Sequence, residues 1–178
     1  PPDTVIVIDE RNNFVTEIYY SSLSDMGNTD TKPFGRIIIE APYPEETCDG
    51  AWNVRRADAD RGWGPMLYDI AIEWSTQNAN GLMSDRASVD ETAEKVWDFY
   101  LKHRKDDVTA HQVGDEKCDQ DVAGDDLENS PLSKRYTKDP TTMVALRKAG
   151  KLTTSDGQPL EERCQKGYKT HPTRKTKK

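Results

Sequence analysis

Ala51-Trp52-Asn53-Val54-Arg55-Arg56-Ala57, then Arg61-Gly62-Trp63-Gly64-Pro65, then Gly81-Leu82-Met83-Ser84 decide the fold of this chain. The first run reads as a strand. The second is a glycine loop that passes directly into a helix over about 65–77. Pro65 suits the first helical position, where a missing N–H costs nothing. Met66, Leu67, Ile70, Ala71 and Trp74 recur at helical spacing and mark one apolar face. The third run is a short apolar strand. Ser88-Val89-Asp90-Glu91 then has the form of a capping box. It opens a second helix whose apolar stripe is Ala93, Val96, Trp97, Tyr100 and Leu101.

A glycine loop at a helix N-terminus brings unpaired N–H groups and the positive end of the dipole to one place, which suits an anion. Two familiar anion loops do not fit. The nucleotide-hydrolase loop ends in Gly-Lys-Ser/Thr, and Gly64-Pro65-Met66 stands there instead. The dinucleotide fingerprint needs a third glycine where Leu67 stands. The loop Arg61-Gly62-Trp63-Gly64-Pro65-Met66 resembles the Arg/Gln-x-x-Gly-x-Gly/Ala loop of the GNAT superfamily of N-acetyltransferases. Arg61 and Gly64 match, while Met66 replaces the usual small residue. Strand, glycine loop, helix, strand, helix is also the order of that family's coenzyme half. The chain is similar to compact GNAT-like proteins of tailed bacteriophages.

The resemblance implies a mixed, mostly antiparallel α/β sheet with a splayed parallel strand pair and flanking helices. It implies acetyl-coenzyme A as cofactor, held by Arg61, Gly62, Trp63, Gly64, Pro65 and Met66 at the pyrophosphate. Asn53, Val54 and Arg55 would lie along the acetyl and pantetheine groups. Acyl transfer to an amine needs a deprotonated amine, donors for the oxyanion and an acid for the departing thiolate. By resemblance Tyr100, preceded by Phe99, is the acid. Ser84 and Asp85, just past the second strand, are candidates for the remaining catalytic roles, with Asp85-Arg86 also readable as an ion pair. The acceptor would be an amine of a small molecule, a protein or a modified base. The family also has two N-terminal helices, and no amphipathic helix precedes Pro65 here. A GNAT-like module without catalysis, serving as a binding or structural protein, is the alternative.

Composition bounds the remaining classes. The chain has 178 residues, is 34% hydrophobic and 32% charged, and carries a net charge of −7. Its mean hydropathy is −0.91 and its pI about 5.0. Such an acidic chain repels nucleic acid unless a local basic patch reverses the field. No apolar run is long enough to cross a bilayer, and no signal-like segment opens the chain. Cys48, Cys118 and Cys164 are odd in number and widely spaced, which favours free thiols and a cytoplasmic location.

Upstream, Thr4-Val5-Ile6-Val7-Ile8 reads as a strand, and the segment from Phe14 to Tyr20 pairs back as a hairpin. Arg36-Ile37-Ile38-Ile39-Glu40 reads as a strand buried on both faces. Apolar residues thin out after Leu101. The expected organisation is therefore a GNAT-like domain over 1–104, an acidic loop over 105–130 and a C-terminal extension over 131–178. Within the extension Asp139 caps a short helix with Pro140 at its first position. Asp119, Asp121 and Gly124 begin like a calcium loop. Ala123 and Ser130 then fail the later ligand positions, and His111 with Cys118 lacks zinc spacing, so no metal is expected. Lys166, Lys169, His171, Arg174, Lys175, Lys177 and Lys178 form a basic tail. It reads as a solubilising segment, or as an arm for phosphate backbone.

Overall fold

The computed structural model describes residues 3–26, 34–42, 48–85, 89–113 and 128–160. Along the chain run β1 (Thr4–Asn12), β2 (Val15–Ser22), β3 (Gly35–Glu40), β4 (Trp52–Ala59) and α1 (Gly64–Asn78). There follow β5 (Leu82–Ser84), α2 (Glu91–His103), β6 (Val108–Gln112), β7 (Lys134–Lys138), α3 (Thr141–Lys148) and β8 (Leu152–Thr154). All eight strands join one sheet in the order β6-β7-β5-β4-β3-β2-β1-β8. The β1–β2, β2–β3, β3–β4, β5–β7 and β6–β7 pairs are antiparallel, whereas β4–β5 and β1–β8 are parallel. The mixed, mostly antiparallel sheet with flanking helices is thus as expected.

The topology follows from the chain. β1 to β4 are linked in sequence and pair with their neighbours. A parallel neighbour requires a crossover, and α1 supplies it between β4 and β5. One face of the sheet holds the core. Ile18, Ile37, Ile39, Leu67, Ile70 and Tyr136 are fully buried there, and Trp97 of α2 is 1% exposed. Trp97 stacks on Tyr136 with ring centroids 5.0 Å apart, and Trp52 meets Trp74 edge-on at 4.8 Å. Ile38 is only half-buried, so the isoleucine run is covered on one face rather than two. Gly81 is obligatory at the start of β5. Its φ is +98°, and a Cβ there would lie 2.5 Å from the Tyr136 carbonyl oxygen.

The chain after residue 104 departs from expectation. β6 and β7 extend the sheet beyond β5, and β8 adds to the opposite edge beside β1. The boundary expected at 104 therefore falls inside one continuous sheet. The reason lies in a long-range contact. Glu73 of α1 is fully buried and forms an ion pair with Lys138 of β7, itself 4% exposed. The same carboxylate accepts the N–H of Thr142 at 2.8 Å and of Met143 at 2.7 Å. Glu73 thereby caps α3 from another element, in the role expected of Asp139. Burial of an ion pair is tolerated only where the remaining lone pairs and protons are also satisfied. Lys138 meets this condition by donating to Thr141 Oγ1 at 2.8 Å and Thr142 Oγ1 at 3.1 Å.

Two further expectations change. The cap of α2 is Asp90, whose Oδ1 accepts from the N–H groups of Thr92 at 2.9 Å and Ala93 at 2.8 Å. Ser88 lies outside the described residues, as do Cys118, Cys164, the acidic stretch 114–127 and the basic tail. Cys48 is disulfide-bonded, which overturns the expectation of free thiols at that position. No described helix is long and apolar enough to cross a membrane.

Glu73→Leu is expected to cost about 3–5 kcal/mol, because it leaves Lys138 buried and unpaired and uncaps α3. Lys138→Met should cost less, since two backbone N–H groups and the positive end of α3 still face the carboxylate. Equilibrium urea unfolding of both variants checks the order. Alkylation without reductant, read by intact mass, is expected to mark fewer than three cysteines.

Candidate functional site

The pairing of β4 with β5 is brief. Trp52 faces Leu82, Asn53 faces Met83 and Val54 faces Ser84, and there the ladder stops. β4 itself runs on to Ala59 against β3. At the point of separation the β3–β4 register shifts: Ile38 pairs with Arg56 and Ile39 with Val54, leaving Arg55 as an extra residue. Such a bulge bends its strand and increases the local twist. Beyond it, the backbone groups of residues 55–59 that point away from β3 have no strand partner among the described residues.

The gap between the two strands opens into a cleft of about 490 Å³, a size suited to a small ligand. β4 forms one wall with residues 54–59, and Ser84 and Asp85 lie at the end of β5. α1 contributes Gly64, Leu67 and Tyr68, one face at spacings of three and four. α2 contributes Thr92, Ala93, Val96 and Trp97. The walls between the helices are therefore apolar, while Arg56, Asp58 and Asp90 bring charge to the lining.

Two features of the lining look toward a ligand. The first turn of α1 has no side-chain cap and no acidic residue, so its N–H groups and positive dipole end are uncompensated by side chains. The hydroxyl of Ser84 is the second. Ser84 is 2% exposed, and its Oγ has no hydrogen-bond partner among the described residues. A buried hydroxyl without a partner carries a desolvation cost that a ligand group can relieve.

The residues expected from sequence separate into two groups. Val54, Arg55, Gly64, Ser84 and Asp85 converge on the cleft. Asn53 stands on β4 before the strands part, outside the lining. Arg61 and Gly62 lie in the exposed turn, and Pro65 and Met66 point outward on α1. Trp63 anchors the loop. It packs edge-on against Tyr20 at 4.8 Å, stacks on Phe34 at 5.5 Å, and its carbonyl accepts from the Tyr20 hydroxyl at 2.8 Å.

Tyr100 is placed away from the cleft. Its hydroxyl donates to Asp69 Oδ1 at 2.8 Å, and its side chain is almost wholly buried. Arg104 pairs with Asp69 at 3.2 Å and lies over the Tyr100 ring at 5.3 Å. Burial, followed by the charge of Asp69, drives the Tyr100 pKa far above its ordinary value. Its place as a free acid facing a ligand is not what the structure shows, because the hydroxyl already has an anionic acceptor. The cleft has a different tyrosine. Tyr68 was legible only as a helix position four residues after Gly64, and that spacing is the signal that would have found it.

No protein-family model, curated protein or solved structure matches the chain.

Ser84→Ala is expected to leave the free protein as stable as wild type or to raise its Tm by a degree or two, because the hydroxyl it removes is unsatisfied. A thermal melt without ligand checks this. A drop of several degrees would mean that the hydroxyl has a structural partner.

Proposed function

We propose that the cleft binds acetyl-coenzyme A and that the chain is an N-acetyltransferase of the GNAT type. The observation that carries this reading is the separation of parallel β4 and β5 directly beside the uncapped N-terminus of α1. Each part of the coenzyme meets a matching surface. The pyrophosphate suits the N–H groups at the start of α1, where the dipole favours an anion. The pantetheine arm carries amides that can pair with the free edge of β4 as an added strand does. Its apolar segments suit Leu67, Val96 and Trp97. Val54 and Ser84, where the strands meet, would hold the acyl end of the arm.

When bound, the coenzyme supplies an activated acyl group as a thioester. The residues of this chain hold it straight, exclude water with the aromatic wall and offer the Ser84 hydroxyl to the acyl end. Asp85, also in the lining, would face the amine acceptor. A cytoplasmic location accords less well with the disulfide at Cys48, since thiols are kept reduced there.

The second reading is a GNAT-like binding or structural protein without catalysis. Two observations favour it. Tyr100 is committed to Asp69, and no α-helix precedes α1 among the described residues. In this reading the cleft still takes the coenzyme and turnover is lacking.

Acetyl-coenzyme A at a hundred times its Kd should stabilise the protein by about 2.7 kcal/mol and raise the Tm by several degrees. Gly64→Leu should abolish that shift while leaving the ligand-free Tm close to wild type. A Cβ at Gly64 meets Ala59 Cβ at an ordinary 3.9 Å, and the cleft that Gly64 borders would take the rest of the side chain. Absence of any shift with millimolar coenzyme in wild type would end the proposal. A shift without acetylation of any amine in a broad panel would select the second reading.

A further inference from the structure

We propose that Tyr68 is the proton donor of the cleft, taking the place that Tyr100 cannot fill. The inference rests on the coenzyme reading and goes beyond it by assigning the acid. Tyr68 lines the cleft on the same face of α1 as Gly64 and Leu67. It shares that lining with Val54 and Ser84, at the meeting point of β4 and β5. Its ring is fixed by its neighbours. Trp97 meets it edge-on at 5.7 Å and Tyr100 lies at 6.4 Å. Its hydroxyl has no hydrogen-bond partner among the described residues, unlike those of Tyr20, Tyr100 and Tyr136. The Tyr136 hydroxyl donates to the Pro131 carbonyl at 2.8 Å. Of the buried tyrosines, Tyr68 alone among the described residues combines a lining position with an uncommitted hydroxyl.

The electrostatics suit a donor. Burial, followed by the negative charge of Asp90, pushes the Tyr68 pKa up to about 12. The hydroxyl thus stays protonated throughout the neutral range and presents a proton to whatever acceptor enters the cleft. Ser84, whose buried hydroxyl has no partner among the described residues, comes from the end of β5. A ligand threaded between the strands meets both.

The proton balance is closed. Tyr68 gives its proton to the sulfur as the carbon–sulfur bond breaks and its electron pair moves onto sulfur. The carbon–nitrogen bond forms to the amine, and the proton that the amine sheds returns to the Tyr68 oxygen through water. The net transfer is one proton from nitrogen to sulfur, with Tyr68 regenerated. No oxidant or further reactant is needed.

The test needs no acceptor. A hydroxyl that donates to sulfur favours the thiolate form of bound coenzyme A and lowers its thiol pKa. The thiol of coenzyme A, added to the full-length protein, is titrated by its ultraviolet thiolate absorbance against protein alone. A thermal melt with coenzyme A verifies binding in each variant. In wild type the bound thiol is expected to be about tenfold more acidic than in Tyr68→Phe, one unit of pKa. Tyr100→Phe should titrate like wild type. If Tyr68→Phe binds coenzyme A and titrates like wild type, or if Tyr100→Phe shows the loss instead, the assignment of Tyr68 is overturned and the coenzyme reading stands. If coenzyme A stabilises none of the proteins, the coenzyme reading falls and the assignment falls with it.

Discussion

Parallel β4 and β5 share a ladder only from Trp52–Leu82 to Val54–Ser84, and this short contact sets where the other elements go. A parallel pair cannot be closed by a tight turn, so the chain must leave the sheet and return through α1. The same crossover brings the N-terminus of α1 beside the end of β4. The extra residue at Arg55 bends β4 away just where the ladder ends. A gap lined by backbone on one side and by helices on the other is the result. In a protein interior such a gap would normally fill with side chains. Here the small residues Ala57, Ala59, Gly64 and Ala93 leave it open.

The rest of the core holds that gap in place. Trp97 of α2 contacts both Tyr68 of α1 and Tyr136 of β7, so one helix wall of the cleft and the neighbouring strand bear on one indole. Glu73 works from the other end of α1. Its carboxylate joins α1 to β7 and to the first turn of α3 in one buried contact. A buried ion pair adds little net stability compared with apolar packing, but it penalises any arrangement that separates the partners. The pair therefore specifies position. It fixes β7 beside β5 and seats α3 where it can deliver β8 to the far edge of the sheet. The Tyr100–Asp69–Arg104 group does the same for the facing ends of α1 and α2.

That division explains which tyrosine is free. Asp69 and Tyr68 are adjacent on α1 and so point in different directions. Asp69 turns to α2, where it accepts from Tyr100 and pairs with Arg104. Tyr68 turns to the cleft. A hydroxyl bound to a carboxylate is a structural tie, since a charge-assisted bond is about twice as strong as a neutral one. A hydroxyl with no partner is available to a ligand.

The sequence by itself determined the local elements of the central stretch. β4, the glycine turn, α1, β5 and α2 were all readable because each is encoded by near neighbours: apolar spacing, Pro65 at a helix start and glycines at turns. The likeness of the loop to an anion site, and five of the lining residues, came from the same local signals. Tertiary structure alone decided the remainder. The segments 108–112 and 134–138 are short and mostly polar, with only Val108 and Ala110 in brief alternation, and become strands because the edge of β5 and the buried Glu73 receive them. The cap of α3 comes from a residue about seventy positions earlier, beyond the reach of any local pattern. Tyr100 and Tyr68 look alike as aromatic members of apolar helix faces. Only the packing of α1 against α2 put a carboxylate on one hydroxyl and an open cleft before the other.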